Sequence, residues 1–160
     1  MDSTSDPRWL TADEMATWLS LWSTMTWLPA RLDAQLRRDG GLSASEYHVL
    51  SQVSMAPGGS RRLSEVAAAA NLTLSHLSRV ADRMARAGWL VRSPDPADGR
   101  FTLATLTDEG MRVVEAAAPG HVAAVREYVF DRLDAEQAVA LGKALAVIAD
   151  AAGPAPTARD

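Results

Sequence analysis

The sequence predicts a mainly α-helical fold carrying one small β-hairpin. Three observations carry that prediction. Capping signatures such as Thr11-x-x-Glu14 and Ser43-x-x-Glu46 recur along the 160-residue chain, each followed by apolar residues at spacings of three and four. Between Thr73 and Arg86 the polar side chains Ser75, His76, Ser78 and Arg79 gather away from an apolar set. After Gly88, two short runs of strand-forming residues flank the turn-rich segment SPDPADGR.

Taken in order, the first helix starts at Thr11, with Met15, Trp18, Leu19, Trp22, Met25, Leu32 and Leu36 forming a long apolar stripe. Pro29 removes a backbone donor and should bend this helix, and Gly40-Gly41 end it. Ser43 opens a short second helix bearing Tyr47, Val49, Leu50 and Val53. The segment APGGS, 56–60, is turn chemistry. Ser64 is expected to cap a third helix ending at Asn71, and Thr73 a fourth whose buried face is Leu74, Leu77, Ala81 and Met84. Strands are expected over Trp89–Arg92 and Phe101–Leu106. Thr107 caps a fifth helix that Pro119-Gly120 should kink or interrupt before Arg132. Asp134-x-x-Gln137 caps the last helix, through about Ala152.

Net charge is −4, but it is unevenly spread. Residues 61–100 hold seven arginines against four acids, a local +3, and the remainder carries −7. A basic middle between acidic ends suits one surface that meets phosphates. The absence of cysteine excludes disulfides and thiolate chemistry. No apolar run reaches the roughly 18 residues of a membrane span, and the N-terminus lacks a secretory pattern, so a cytoplasmic location is expected. Neither a Gly-rich phosphate loop, a G-x-S-x-G turn nor an H-E-x-x-H helix occurs, which argues against an enzyme.

A capped helix with a polar outer face, followed at once by an arginine-tipped hairpin, is the layout of a winged helix-turn-helix core. The residues Thr73-Leu-Ser75-His-Leu-Ser78-Arg79-Val-Ala-Asp82-Arg83-Met, Gly88-Trp-Leu-Val-Arg92, Asp95-Pro-Ala-Asp98-Gly-Arg100 and Leu106-Thr107-Asp-Glu-Gly110 resemble the MarR (multiple antibiotic resistance regulator) family. The resemblance covers residues 11–152. It implies a homodimeric transcription factor, usually a repressor, that binds a palindromic double-stranded operator and is released by a small aromatic or phenolic effector. No cofactor is expected. The organisation expected is a flexible N-terminus over 1–10, a single domain over 11–152 and a disordered tail over 153–160. Within the domain, 42–107 form the winged-helix DNA-binding lobe, and 11–39 and 108–152 the N- and C-terminal dimerisation helices. The wing departs from the family's usual Asp-Arg-Arg, because Gly99 stands in place of the middle arginine.

The residues expected at DNA follow from these positions. Thr73 caps the fourth helix and leaves first-turn amides for a phosphate. Ser75 and Ser78 are small enough for close approach, while His76 and Arg79 reach base edges, with Arg83 on the same outer side. Arg100 is the minor-groove probe, with Asp98 holding its guanidinium and Arg92 sharing that carboxylate. Arg62, beside Arg61, either touches phosphate or forms part of a solvated pair. For the effector, the resemblance implies a pocket lined by the first, second and fifth helices. Trp18, Trp22, Tyr47, His48 and Ser51 supply stacking surface and polar groups there, although taken singly the tryptophans read first as core or dimer contacts and His48 as a satisfied or exposed histidine. His48 and His121 lack a third clustered ligand, and no metal site is expected. The alternative is a winged-helix module that dimerises and binds protein without reading DNA.

Overall fold

The computed structural model describes residues 7–153. Among the described residues six α-helices and three strands follow in the order α1 (Ala12–Gly40), α2 (Ala44–Ser54), β1 (Ser60–Arg62), α3 (Leu63–Ala69), α4 (Leu74–Arg86), β2 (Leu90–Pro94), β3 (Thr102–Leu106), α5 (Asp108–Tyr128) and α6 (Ala135–Ala152). Mainly helical, with a small antiparallel sheet behind a wing, this is the winged-helix architecture the sequence predicts. Full capping boxes close the starts of α1, α2 and α6, where Thr11, Ser43 and Asp134 each exchange hydrogen bonds with the residue three positions on. Gly41, at φ 65°, terminates α1 in the left-handed conformation that glycine adopts without strain.

The chain forms two compact units, one through His121 and one from Val122 onward. The core of the first lies where α2, α3, α4 and the sheet converge, with Leu50, Val53, Val66, Leu77, Met84 and Ala104 buried. Each such leucine or valine contributes about 1.5–3 kcal/mol by leaving water. The sheet order is β1-β3-β2, all antiparallel, with Ser60 opposite Thr105 and Leu90 opposite Leu106. Gly110 sits so close to Trp89 that a Cβ there would collide with the Trp89 carbonyl oxygen, so only glycine lets α5 start against the wing. In the second unit no residue of α6 is buried. No described helix is long and apolar enough to cross a membrane.

Several expectations are corrected. Leu74 is exposed, and Val80 takes its place on the buried face of α4. Ser64 lies inside α3, whose N-cap position is Arg62 without a side-chain cap. The strand β1 lies partly in what reads as a turn, adding a third strand to the expected hairpin. The helix α1 continues through Pro29 and α5 through Pro119, neither being interrupted, and α5 ends at Tyr128, before a 3-10 turn over Phe130–Arg132. Most of the expected N-terminal and C-terminal flexible segments, 1–6 and 154–160, lies outside the described residues.

Candidate nucleic-acid interface

The apolar side of α4 is fixed to the core by Leu77, Val80, Ala81 and Met84, which turns Ser75, His76 and Arg79 outward. Thr73 Oγ1 accepts the His76 amide at 3.2 Å, leaving other first-turn amides free to meet an anion. Arg83 is differently placed from its outward neighbours. Its Nε donates to Glu46 Oε1 at 2.6 Å, and the other oxygen of Glu46 accepts the Ser43 amide and hydroxyl at 2.8 and 2.7 Å. Glu46 is only 7% exposed. Burial pushes its carboxyl up, but the Ser43 and Arg83 donors outweigh that and hold it below its ordinary value. The pair ties α4 to the start of α2.

In the wing, Arg100 lays its guanidinium on Asp98, Nη2 to Oδ2 at 2.7 Å and Nε to Oδ1 at 3.0 Å. That bond holds Asp98 below the usual carboxylate range and Arg100 above its ordinary value. The side chain of Arg100 is nonetheless 85% exposed, a pre-aimed cation at the tip. Arg62 is neither free nor merely solvated. Its Nε donates to Asp95 Oδ2 at 2.6 Å and its guanidinium lies 4.5 Å from the Phe101 ring centre. Asp95 also accepts the Ala97 amide at 2.8 Å, and that bond with the Arg62 contact keeps its carboxyl low. Arg62 therefore anchors the wing to β1. Arg92 pairs with Asp82 of α4, not with Asp98. Arg61 bonds Gln52 at 3.0 Å.

Between α4 and the wing opens a cleft of about 200 Å³. Leu74 and Ser78 line it from α4, Ser64 from α3, and Arg92, Arg100 and Phe101 from the hairpin. Leu63, Leu74 and Phe101 make much of its lining apolar, while Ser64, Ser78, Arg92 and Arg100 add the hydroxyls and guanidinium groups that can meet a phosphodiester.

The chain is 41% identical to Sco3205 of Streptomyces coelicolor, a MarR family transcriptional regulator whose crystal structure was determined in complex with DNA. The match covers 95% of both chains with a TM-score of 0.89. This chain belongs to the MarR family. AbsC, another MarR family regulator of S. coelicolor, is 33% identical over 90% of this chain and 97% of its own, with a TM-score of 0.85. The MarR family model matches residues 40–100, from just before α2 to the wing tip at Arg100. YxaD of Bacillus subtilis, an uncharacterised HTH-type transcriptional regulator, is 35% identical over 53% of this chain, which spans 58% of that curated relative.

In this MarR-family chain the residues expected at an effector pocket fall into two groups. Trp18 and Trp22 stand 5.6 Å apart on α1, both exposed. Tyr47 and His48 of α2 meet His121 of α5, the Tyr47 ring 4.5 Å and the His48 ring 6.1 Å from the imidazole centre. Ser51 is partly buried one turn further along α2. Burial, then the neighbouring His48, pushes His121 below its ordinary value. His121 Nδ1 and Gln35 Oε1 are buried without hydrogen-bond partners. Glu46, Asp95, Phe101 and Gln35 escaped the sequence reading as site residues. Glu46 alone had a signal, the capping box that identifies it as a fixed carboxylate. Among the described residues no three metal-ligating side chains gather.

Proposed function

We propose that this MarR-family chain is a dimeric DNA-binding repressor, released from a palindromic operator by a small aromatic or phenolic ligand. The observation that carries the DNA half is the cleft itself, with the outward polar face of α4 on one side and Arg100 on the other. Sco3205, crystallised with DNA, supports it. In this reading α4 enters the major groove, with Thr73, Ser75, His76, Ser78 and Arg79 at phosphates and base edges, and Arg100 enters the neighbouring minor groove. Arg83 and Arg62 act through what they hold, the seating of α4 and of the wing. The residues from 11 to 39 and from 108 to 152 supply the dimer contacts around the lobe at 42–107.

Ligand release rests on the second cluster. The buried His121 Nδ1 without a partner, against the Tyr47 ring, suits the hydroxyl of a phenolic ligand, with Trp18, Trp22, His48 and Ser51 as further contacts. Such a ligand must favour one arrangement of the two lobes by several kcal/mol to empty the operator. The net charge of −4 and Gly99 favour the rival, a protein-binding module. Electrophoretic shift on the DNA upstream of the chain's own gene, repeated over a salt series, separates them. Retardation that weakens steeply with salt is expected, whereas a dimer that shifts no duplex overturns the repressor.

A further inference from the structure

The outer face of α4 carries one large apolar side chain. Leu74, the first residue of the helix, is 56% exposed, while Ser75, His76, Arg79, Asp82, Arg83 and Arg86 make the rest of that surface polar. Leu74 adds nothing to the core, which Leu77, Val80, Ala81 and Met84 complete. It lines the cleft whose facing wall holds Arg92 and Arg100, with Ser78 one turn along from it. Leu63 and Phe101 line the same cleft, so it offers an apolar floor beside guanidinium groups that can meet phosphate, a combination that suits a base methyl carried on a nucleic-acid strand.

The first turn of a recognition helix is the part that meets base edges. In the major groove those edges present a single apolar group, the C5-methyl of thymine. We infer that Leu74 is a specificity-determining residue that packs on the methyl group of one thymine in each half-site. The inference rests on the DNA-binding reading above and names a base that it recognises. Cytosine has only a hydrogen where thymine carries its methyl, and adenine and guanine place the N7 acceptor in the groove, so each gives Leu74 less apolar contact. Transfer of one methyl-sized group from water corresponds to about a fourfold change in affinity per half-site.

The test begins by enriching a randomised duplex pool on the full chain. Each thymine of the enriched site is then replaced in turn by deoxyuridine, which removes the methyl and keeps every hydrogen-bonding edge. Replacement at one thymine per half-site is expected to weaken the wild-type chain about fourfold. Leu74→Ser, a surface change that leaves the thermal melt unaltered, is expected to bind the thymine and deoxyuridine duplexes equally. Full methyl discrimination by Leu74→Ser overturns the inference, as does an enriched site in which no thymine methyl matters. In both cases DNA binding itself survives. A chain that binds no duplex fails at the first step, and the DNA-binding reading falls together with the thymine contact.

Discussion

At the scale of single residues, charge is placed by the nearest rigid partner. Arg100 is held by Asp98 two residues earlier across a tight turn, a geometry legible from Asp98-Gly-Arg100 because the span is too short for another partner. The partner of Arg92 was not legible, since Asp82 reaches it from a different element. Arg100→Ala should weaken binding most at A·T-rich flanks and reduce the salt slope by about one per protomer, read by fluorescence anisotropy across a salt series. Arg79→Ala should instead relax base preference by about 1–3 kcal/mol, seen as a flattened spread of affinities over single-base operator variants. His121 supplies a pH signature of stability. Burial and His48 lower its folded pKa below the ordinary 6.5, so the unfolded chain takes up the proton first. Stability should therefore fall as pH drops below about 6.5 and level off only beneath the folded value. Denaturant midpoints between pH 7.5 and 5.5 should converge for His121→Phe, and an unchanged slope in that variant would show that another group is responsible.

At the scale of elements, every helix start but that of α3 was legible in the sequence, and faces less so. Thr11, Ser43, Thr73, Thr107 and Asp134 all cap as the sequence indicates, because a cap is decided within four residues. Leu74 was assigned to the wrong face because spacings of 74, 77, 81 and 84 satisfy a helix as well as 77, 80, 81 and 84 do. Only the direction in which the first turn leaves the core distinguishes them. The three residues of β1 carry too short a pattern to read, and their strand character comes from pairing with β3. The seating of α4 gives the element-scale prediction. Glu46→Ala removes the acceptor of Arg83 and half of a capping box, and should cost about 1–3 kcal/mol in a urea titration. Because the folded Glu46 carboxyl lies below its ordinary 4.5, its contribution is present above that pH and is lost as pH falls through the folded value. A Glu46→Gln chain should lose that acid dependence. If its stability tracked wild type down to the acid transition, the Glu46–Arg83 pair would not be what seats α4.

At the scale of the molecule, the apolar surface left uncovered argues for a second copy. On α1 Met15, Trp18, Leu19, Trp22 and Met25 stay exposed, and on α6 Leu141, Leu145 and Ile148 recur at helical spacing without burial. Scattered exposed leucines are ordinary, but stripes of this length along two helices are the mark of an interface. Because no α6 residue is buried, that helix gains hydrophobic stabilisation only when something covers it. On the proposed reading a two-fold pair would bury such stripes and set two copies of α4 against a palindrome. Leu145→Asp places a charge in the middle of the α6 stripe and leaves every residue of the winged-helix lobe unchanged. Sedimentation should report a shift from dimer towards monomer. Affinity for a two-half-site operator should fall by about 10²–10⁴-fold, since the second half-site then binds from free solution and not as a tethered event. Binding to an isolated half-site should change little, because Arg79, Arg100 and the cleft between α4 and the wing all stay intact. A chain that remained dimeric with aspartate at 145 would place the dimer contacts elsewhere, and one that became monomeric yet kept full operator affinity would remove the need for two-fold recognition altogether.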